Sequence, residues 1–228
     1  MLRLILNKYN ILTTRCNICN LASLTIICEP CLDSLPDISK YLCCNKCKAL
    51  LNITTLECSE CSKYNFAFDQ LYTAYSYDYP LANVLLAVKF GHQTKYIELL
   101  SRLFYLSHAT NPAVDYLLPV PMHYTKYINR KFNVSYELLQ TYLQHHKKPI
   151  LVANKRHQTI AQVELSYTER IKNAQNTYTI TQDLTGKTVA IIDDVVTTGA
   201  TVNELARLCK ERGASTVYVW CLMRSLIY

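Results

Sequence analysis

The sequence predicts an α/β protein with a mostly parallel sheet, preceded by a small cysteine-rich domain. Two observations lead to this prediction. Nine of the eleven cysteines fall within residues 16–61, and after that segment apolar runs of strand length alternate with stretches of helical spacing. Such alternation is typical of βαβ units, in which parallel strands lie between layers of helices. We therefore predict two domains, residues 1–65 and 66–228.

The elements of the larger domain follow from the period of the apolar residues. Alternation and short apolar runs predict strands, whereas apolar residues three and four apart predict helices. The predicted strands are residues 70–78, 115–121, 150–155, 187–193 and 215–223. The predicted helices are residues 81–91, 94–108, 135–146 and 201–213, and residues 163–174 are helical or loop.

Composition argues against a membrane-embedded protein and favours polyanionic partners. No run of 18 apolar residues occurs, and residues 1–12 hold only a short apolar patch without a small-residue cleavage site. We therefore expect no membrane span and a cytoplasmic location. The formal net charge is +7, and residues 120–175 carry nine lysines and arginines against three acidic residues. Such a basic segment attracts polyanions.

The clustered cysteines form four Cys-x2-Cys pairs with metal-ligand spacing. Each pair aims two sulfurs at one point, and two pairs complete a tetrahedral shell around zinc. Disulfides would need an oxidising compartment, and iron–sulfur ligation uses other spacings. We expect two structural zinc ions in a double zinc ribbon, with sequential pairing preferred and interleaved pairing as the alternative. The predicted ligands are Cys16, Cys19, Cys28, Cys31, Cys44, Cys47, Cys58 and Cys61.

The segment VAIIDDVVTTGAT, residues 189–201, is the main functional signal. An apolar strand runs into Asp193 and Asp194, and a turn of small residues and threonines leads into the next predicted helix. In open α/β sheets ligands bind at the carboxyl ends of strands, and free amides at a helix start favour an anion. Carboxylates beside such a cradle suit sugar hydroxyls or a magnesium ion that accompanies a phosphate. Thr201 and Glu204 also have capping-box spacing, which is a purely structural feature.

The order of these residues matches the 5-phosphoribosyl-1-pyrophosphate (PRPP) loop of type I phosphoribosyltransferases, and the whole chain resembles the ComF family of bacterial competence proteins. The other matching segments are VKFGHQTKY (88–96), PVPMHYTKYINRKFNVSYELL (119–139) and KRHQTIAQVELSYTERIKNA (155–174). The resemblance implies a type I phosphoribosyltransferase-like parallel sheet flanked by helices, preceded by a small double zinc-ribbon domain. Lys131 stands where the family has glycine, at a position where the backbone can require a positive φ.

The resemblance implies roles for three groups of residues. Asp193 and Asp194 would hold the ribose hydroxyls of PRPP, and the following loop would cradle its 5-phosphate. The loop candidates are Val196, Thr197, Thr198, Gly199, Ala200 and Thr201. The pyrophosphate, accompanied by magnesium, would meet Lys89, Arg130 and a mobile loop, residues 155–173; for each of these side chains simple solvation is the alternative. The mobile-loop candidates are Arg156, Gln162, Arg170 and Asn173.

The implied function is a competence protein whose PRPP-binding domain acts on or with incoming single-stranded DNA. Tyrosines are interleaved with the basic residues of segment 120–175, and aromatic rings stack on bases. The zinc module is a candidate docking site for a competence helicase. The alternatives are a phosphoribosyltransferase of nucleotide salvage and a non-catalytic regulator that senses PRPP. The sequence shows no acceptor pocket, so the acceptor of a glycosyl transfer stays open.

Overall fold

The structure is a computed structural model that describes residues 14–51, 58–122, 124–155 and 178–226. The strands are β1 (Thr14–Arg15), β2 (Ala22–Ser23), β3 (Gln70–Tyr72), β4 (Tyr75–Ser76), β5 (Tyr116–Pro119), β6 (Asn154–Lys155), β7 (Tyr178–Thr179), β8 (Thr188–Val196) and β9 (Thr216–Arg224). The helices are α1 (Glu29–Asp33), α2 (Ser59–Tyr64), α3 (Leu81–Phe90), α4 (Ile97–His108), α5 (Tyr124–Arg130), α6 (Val134–Glu137), α7 (Leu139–His145) and α8 (Ala200–Glu211). Short 3-10 helices span Ile38–Lys40 and Thr94–Tyr96.

One parallel sheet organises the larger part of the chain. Its strand order is β3, β9, β8, β5, and β4 continues the β3 edge against the end of β9. β8 and β9 pair in parallel from Thr188–Thr216 to Val196–Arg224. Both strands are long apolar runs because helices cover both faces of the sheet. The predicted α/β fold with a parallel sheet is confirmed.

Alternate residues of the central strands enter two separate cores. Ala190, Ile192 and Trp220 pack with α3, α4, α6 and α7 on one face, whereas Val189 and Ile191 pack with α8 on the other. Side chains of a strand alternate between faces, so a slip of one residue would exchange the two sets. The register that places the end of β8 is therefore fixed by packing on both faces.

The cysteine-rich segment lies along the β3–β4 edge of the sheet. The N–H of Ser76 donates to the carbonyl of Pro36 at 2.8 Å, which adds a backbone contact to this edge. Cys16, in the first half of the segment, is buried in the core of α3 and α4, and Cys47, in the second half, is buried in the core of α8. The two halves therefore share the apolar cores of the sheet. The boundary after residue 65 stays a prediction.

The predicted elements are largely present, with two differences among the helices. The helix expected over residues 135–146 is two helices, α6 and α7, which meet at Leu138. Helix α5 was not expected, because its sequence YTKYINR has no clear apolar period. Residues 163–174 lie outside the described residues. None of the helices in the described ranges has the length and apolar character of a bilayer span.

The junction between β8 and α8 also differs from the prediction. The strand runs to Val196, so both aspartates lie within its last four residues instead of at its end. Helix α8 begins at Ala200 with Gly199 as its N-cap, so the predicted capping box of Thr201 and Glu204 is wrong. The left-handed conformation of Gly199, with φ of 77°, starts the helix before Thr201 is reached.

Lys131 adopts the backbone conformation that glycine would adopt freely. Its φ is 70°, and its N–H donates to the carbonyl of Tyr127 at 2.6 Å, at the end of α5. The left-handed conformation costs about 1–2 kcal/mol for a residue with a Cβ. The turn is thus retained despite the lysine.

Lys131→Gly should raise the free energy of unfolding by about 0.5–1 kcal/mol, because relief of the left-handed conformation exceeds the extra backbone entropy that glycine loses. Urea denaturation measures the change. Lys131→Ala is the matched control, since it shortens the side chain but keeps the Cβ. Equal stability of the glycine and alanine variants would contradict the assignment of strain.

Candidate functional site

The eight predicted metal ligands gather into two groups of four. Within each group all four sulfur atoms lie within 4.8 Å of one another. The first tetrad is Cys16, Cys19, Cys28 and Cys31, and the second tetrad is Cys44, Cys47, Cys58 and Cys61. This grouping corresponds to the sequential alternative and not to the interleaved one.

The sulfur spacing suits a tetrahedral metal ion. With Zn–S bonds of about 2.3 Å, the sulfurs of a tetrathiolate are about 3.8 Å apart. The Sγ–Sγ distances are 3.7 Å for Cys19–Cys28, 3.8 Å for Cys44–Cys61 and 3.4 Å for Cys47–Cys58. The N–H groups of Ile18 and Cys28 also point at Cys16 Sγ, each at 3.4 Å, and such donors favour a thiolate. Four sulfurs fill a tetrahedral shell, so both tetrads suit structural ions.

The second candidate site lies at the carboxyl edge of the main sheet. Ser135 Oγ, at the start of α6, donates to Asp193 Oδ1 at 3.4 Å, and the N–H of Asp194 donates to the same oxygen at 2.9 Å. Asn133 fixes this side of the site, because its Nδ2 donates to the carbonyl of Val120 at 2.9 Å, just beyond β5. The strand ends and the start of α6 thus meet around the aspartates.

Two predicted cations face Asp194. Lys89 Nζ lies 2.6 Å from Asp194 Oδ1, and both side chains are largely buried. Arg130 Nε donates to the carbonyl of Lys89 at 3.1 Å, and its guanidinium lies 5.7 Å from the ring centre of Phe90. Burial lowers the pKa of Arg130, and the Asp194 carboxylate opposes this change. Neither cation is a freely solvated side chain.

Asp193 holds its proton unusually tightly. Burial raises its pKa to about 7, and the neighbouring Asp194 carboxylate adds to the rise. Lys89, the N–H of Asp194 and the hydroxyl of Ser135 act in the opposite direction. The site therefore holds a carboxyl group that a ligand with hydroxyl donors can stabilise in its ionised form.

The loop between β8 and α8 presents backbone donors. The ring of Phe66 lies where a Cβ on Gly199 would approach to 3.2 Å, so the close turn requires glycine. Thr198 Oγ1 accepts from the N–H of Ala200 at 3.3 Å. Among the described residues, none accepts a hydrogen bond from the N–H groups of Thr198 and Gly199. These amides, at the start of the 12-residue helix α8, can bind an anion.

The structure adds two residues to the predicted site and leaves four untested. Ser135 and Asn133 were not predicted; the helix cap of Asn133 on Ser135 can be expected from an Asn before a helix, but the contacts with Val120 and Asp193 cannot. The mobile-loop candidates Arg156, Gln162, Arg170 and Asn173 lie outside the described residues. The chain on either side of that stretch is joined by the antiparallel pair β6–β7.

Several known proteins are similar to this chain. The family described as phosphoribosyl transferase domain matches residues 131–227. DNA utilization protein YhgH of Escherichia coli O6:H1 is 31% identical over 191 residues, which cover 80% of this chain and 84% of YhgH. Competence protein F of Haemophilus influenzae is 27% identical over 199 residues, which cover 82% of this chain and 87% of that protein. A crystal structure of adenine phosphoribosyltransferase from Rhodothermus marinus aligns with 60% of this chain and 70% of its own, at 20% identity and a TM-score of 0.36.

Asp193→Asn should stabilise the ligand-free protein in a pH-dependent way. Because the folded-state pKa is raised from 3.8 to about 7, the folded protein loses stability as the pH rises through that interval. Asparagine carries no proton to lose, so the advantage of the variant should grow from about pH 4 to about pH 7 and then stay constant. Thermal unfolding at a series of pH values measures it.

Asp183→Asn is the control for this experiment. Hydrogen bonds from Thr185 lower the pKa of Asp183, which is the opposite direction. The control should therefore show no gain in stability with rising pH. A constant difference between Asp193→Asn and the native protein from pH 4 to pH 8 would contradict the raised pKa.

Proposed function

Because the chain belongs to the ComF family, we propose that this competence-related protein binds PRPP with magnesium at the carboxyl edge of its sheet and acts with incoming single-stranded DNA. One observation carries the proposal: the aspartate pair, two cations and two N–H groups that have no acceptor among the described residues converge on a single edge of the sheet. Carboxylates suit hydroxyl groups, amides at a helix start suit a terminal phosphate, and cations suit a diphosphate. PRPP combines these three groups.

The donor would lie across the end of β8. Asp193 and Asp194 would accept hydrogen bonds from the ribose hydroxyls, and the 5-phosphate would rest on the amides of Thr198 and Gly199. Val196, Thr197, Ala200 and Thr201 complete the proposed loop. In the ligand-free site Lys89 pairs with Asp194 at 2.6 Å.

Lys89 would change partners when the donor binds. Once a ribose hydroxyl donates a hydrogen bond to Asp194, the ammonium group of Lys89 can turn to the pyrophosphate. Arg130 lies next to it, because its Nε donates to the carbonyl of Lys89. The planar guanidinium of Arg130 suits a bidentate contact with phosphate oxygens. Magnesium, when bound with PRPP, would neutralise the pyrophosphate, and carboxylate oxygens are suitable ligands for it.

A transfer reaction at this site would depend on positioning and charge. The aspartates would orient the ribose, and the cations would stabilise the charge that develops on the departing pyrophosphate while an acceptor attacks C1. The protein would then be a phosphoribosyltransferase with an acceptor still to be identified. Two results of the tests would replace this proposal: a role in nucleotide salvage, or non-catalytic sensing of PRPP.

Zinc is our proposal for the metal of both tetrads. The sulfur-only donor sets and the spacings of 3.4–3.8 Å support it. Leu21 and Leu24, beside the first tetrad, are 68% and 69% exposed and offer apolar surface for a protein partner. This surface supports docking of the module to a competence helicase.

An aromatic and basic surface next to the donor site supports the DNA proposal. Phe90 is 71% exposed and Tyr127, on the same helix as Arg130, is 49% exposed. Arg130 lies against the Phe90 ring. Exposed rings beside cations are the combination that binds single strands, because bases stack on the rings while the cations neutralise the backbone.

The aspartate pair should be essential for donor binding and dispensable for folding. Asp193→Ala combined with Asp194→Ala should weaken binding of PRPP with magnesium by about 100-fold or more, because two charge-assisted contacts are lost. Isothermal titration calorimetry measures the affinity. Asp183→Ala combined with Glu211→Ala removes the same charge elsewhere and should bind like the native protein. Unchanged affinity in the Asp193/Asp194 variant would sink the site assignment.

Phe90→Ala should lower the affinity for a single-stranded oligonucleotide by about tenfold, since one stacked base contributes about 1–3 kcal/mol. Fluorescence anisotropy with a labelled oligonucleotide measures this change. Phe90→Leu keeps apolar bulk but removes the aromatic face, and it should bind as weakly as Phe90→Ala. Native-like affinity in both variants would remove Phe90 from the DNA surface.

A further inference from the structure

The second tetrad lies directly behind the proposed phosphate loop, and Arg224 joins the two. This arginine ends β9 and is 3% exposed. Its Nε donates to the carbonyl of Cys47, a member of the second tetrad, at 3.1 Å. Its NH1 donates to the carbonyl of Val196 at 3.0 Å and to that of Thr197. One buried guanidinium group thus contacts both the second tetrad and the start of the loop between β8 and α8.

The partners of Arg224 among the described residues are backbone carbonyl oxygens. Within the described part of the chain, no Asp or Glu forms an ion pair with it, although its NH1 also donates to the carbonyl of Ser225 at 2.9 Å. A buried charge is costly unless opposite charge is near. A zinc ion with four thiolates carries a net charge of about −2, so a filled second tetrad places negative charge beside this cation.

A second set of contacts links the second tetrad to the loop between β8 and α8. Lys46, between Cys44 and Cys47, donates through Nζ to the carbonyl of Phe66 at 2.8 Å. The Phe66 ring packs on Gly199, where a Cβ would come within 3.2 Å of it. Next to it, the N–H of Ala67 donates to Asn203 Oδ1 in α8 at 2.7 Å. The loop and the first turn of α8 therefore rest on residues held by the second tetrad.

The first tetrad has a different environment. Cys16 packs in the core of α3 and α4, on the opposite face of the sheet from α8. The sulfur of Cys16 accepts from N–H groups of its own segment, those of Ile18 and Cys28. The two tetrads are alike in chemistry and differ in what they support.

We propose that the second tetrad, acting through the positioning residue Arg224 and through Phe66, holds the 196–203 segment in its donor-binding conformation, whereas the first tetrad does not. The proposal rests on the proposed PRPP site. It gives the cysteine-rich segment a role in the donor site itself: loss of the second metal should loosen the loop, and loss of the first should leave it unchanged.

Matched cysteine variants of the full chain test the proposal. Cys61→Ser disables the second tetrad and Cys19→Ser the first, and metal analysis should find one zinc fewer than the native protein in each. Amide hydrogen exchange in residues 196–203 of the donor-free protein should accelerate by about tenfold or more in Cys61→Ser, as expected when charge-assisted hydrogen bonds are lost, and change little in Cys19→Ser. Affinity for PRPP with magnesium should fall by a similar factor only in Cys61→Ser. Equal effects of the two variants on residues 196–203 would overturn the proposal.

Arg224→Lys tests the link even if Cys61→Ser fails to fold. Lysine keeps the charge but cannot reach the separate carbonyls with a planar fork. We expect faster exchange in residues 196–203 and weaker donor binding, with native zinc content and unchanged exchange in α4. Arg102→Lys, at the ion pair with Glu98 on α4, is the control and should show native exchange in residues 196–203 and native affinity. Native exchange and affinity in Arg224→Lys would refute the link.

The two readouts separate this proposal from the proposed function. If the native protein binds no PRPP, the donor assignment fails, but exchange in residues 196–203 still decides whether the second tetrad holds the loop. If PRPP binds equally well to all variants and exchange is unchanged, the donor assignment survives and the supporting role of the tetrad is rejected.

Discussion

The parallel pairing of β8 with β9 is the constraint on which the rest of the structure depends. It runs from Thr188–Thr216 to Val196–Arg224 and is buried on both faces. Because each face fixes the register independently, the end of β8 cannot shift without disturbing two cores. The same pairing brings Arg224 beside Val196. The sheet therefore determines both where the aspartates stand and what lies behind the loop that follows them.

Charge balance explains how this edge tolerates adjacent carboxylates. Asp194 is paired with Lys89, while Asp193 has hydrogen-bond donors but a raised pKa. Burying an unpaired carboxylate costs free energy. The negative charge of the two aspartates is therefore not fully neutralised in the ligand-free site. Binding groups are often less stable than the rest of a fold for this reason. A ligand that donates hydroxyl hydrogen bonds to the aspartates and offers Lys89 a new anionic partner completes the charge balance.

Features that a local sequence pattern encodes can be predicted from the sequence. Contacts between residues that are far apart in the chain cannot. The Cys-x2-Cys spacings predict two tetrads, and the apolar run before Asp193 predicts a buried strand with a ligand edge. By contrast, Lys89 and Asp194 are 105 residues apart, and Arg224 and Cys47 are 177 apart. No local period marks such contacts. The capping-box prediction failed because the left-handed Gly199 caps the helix two residues before Thr201.

The edge position of the cysteine-rich segment connects these observations. The outer strands β3 and β4 lie at an edge of the sheet, and an edge strand leaves backbone groups open to unwanted pairing. The segment covers them: Lys46 accepts from the N–H of Leu71 at 2.7 Å, and Pro36 accepts from Ser76 at 2.8 Å. Covering an edge from both faces places one tetrad near each core, and the described residues of the 196–203 segment that enter a core, Val196 and Val202, lie in the core of α8. The same geometry that protects the sheet edge therefore makes the two chemically similar tetrads unequal in function.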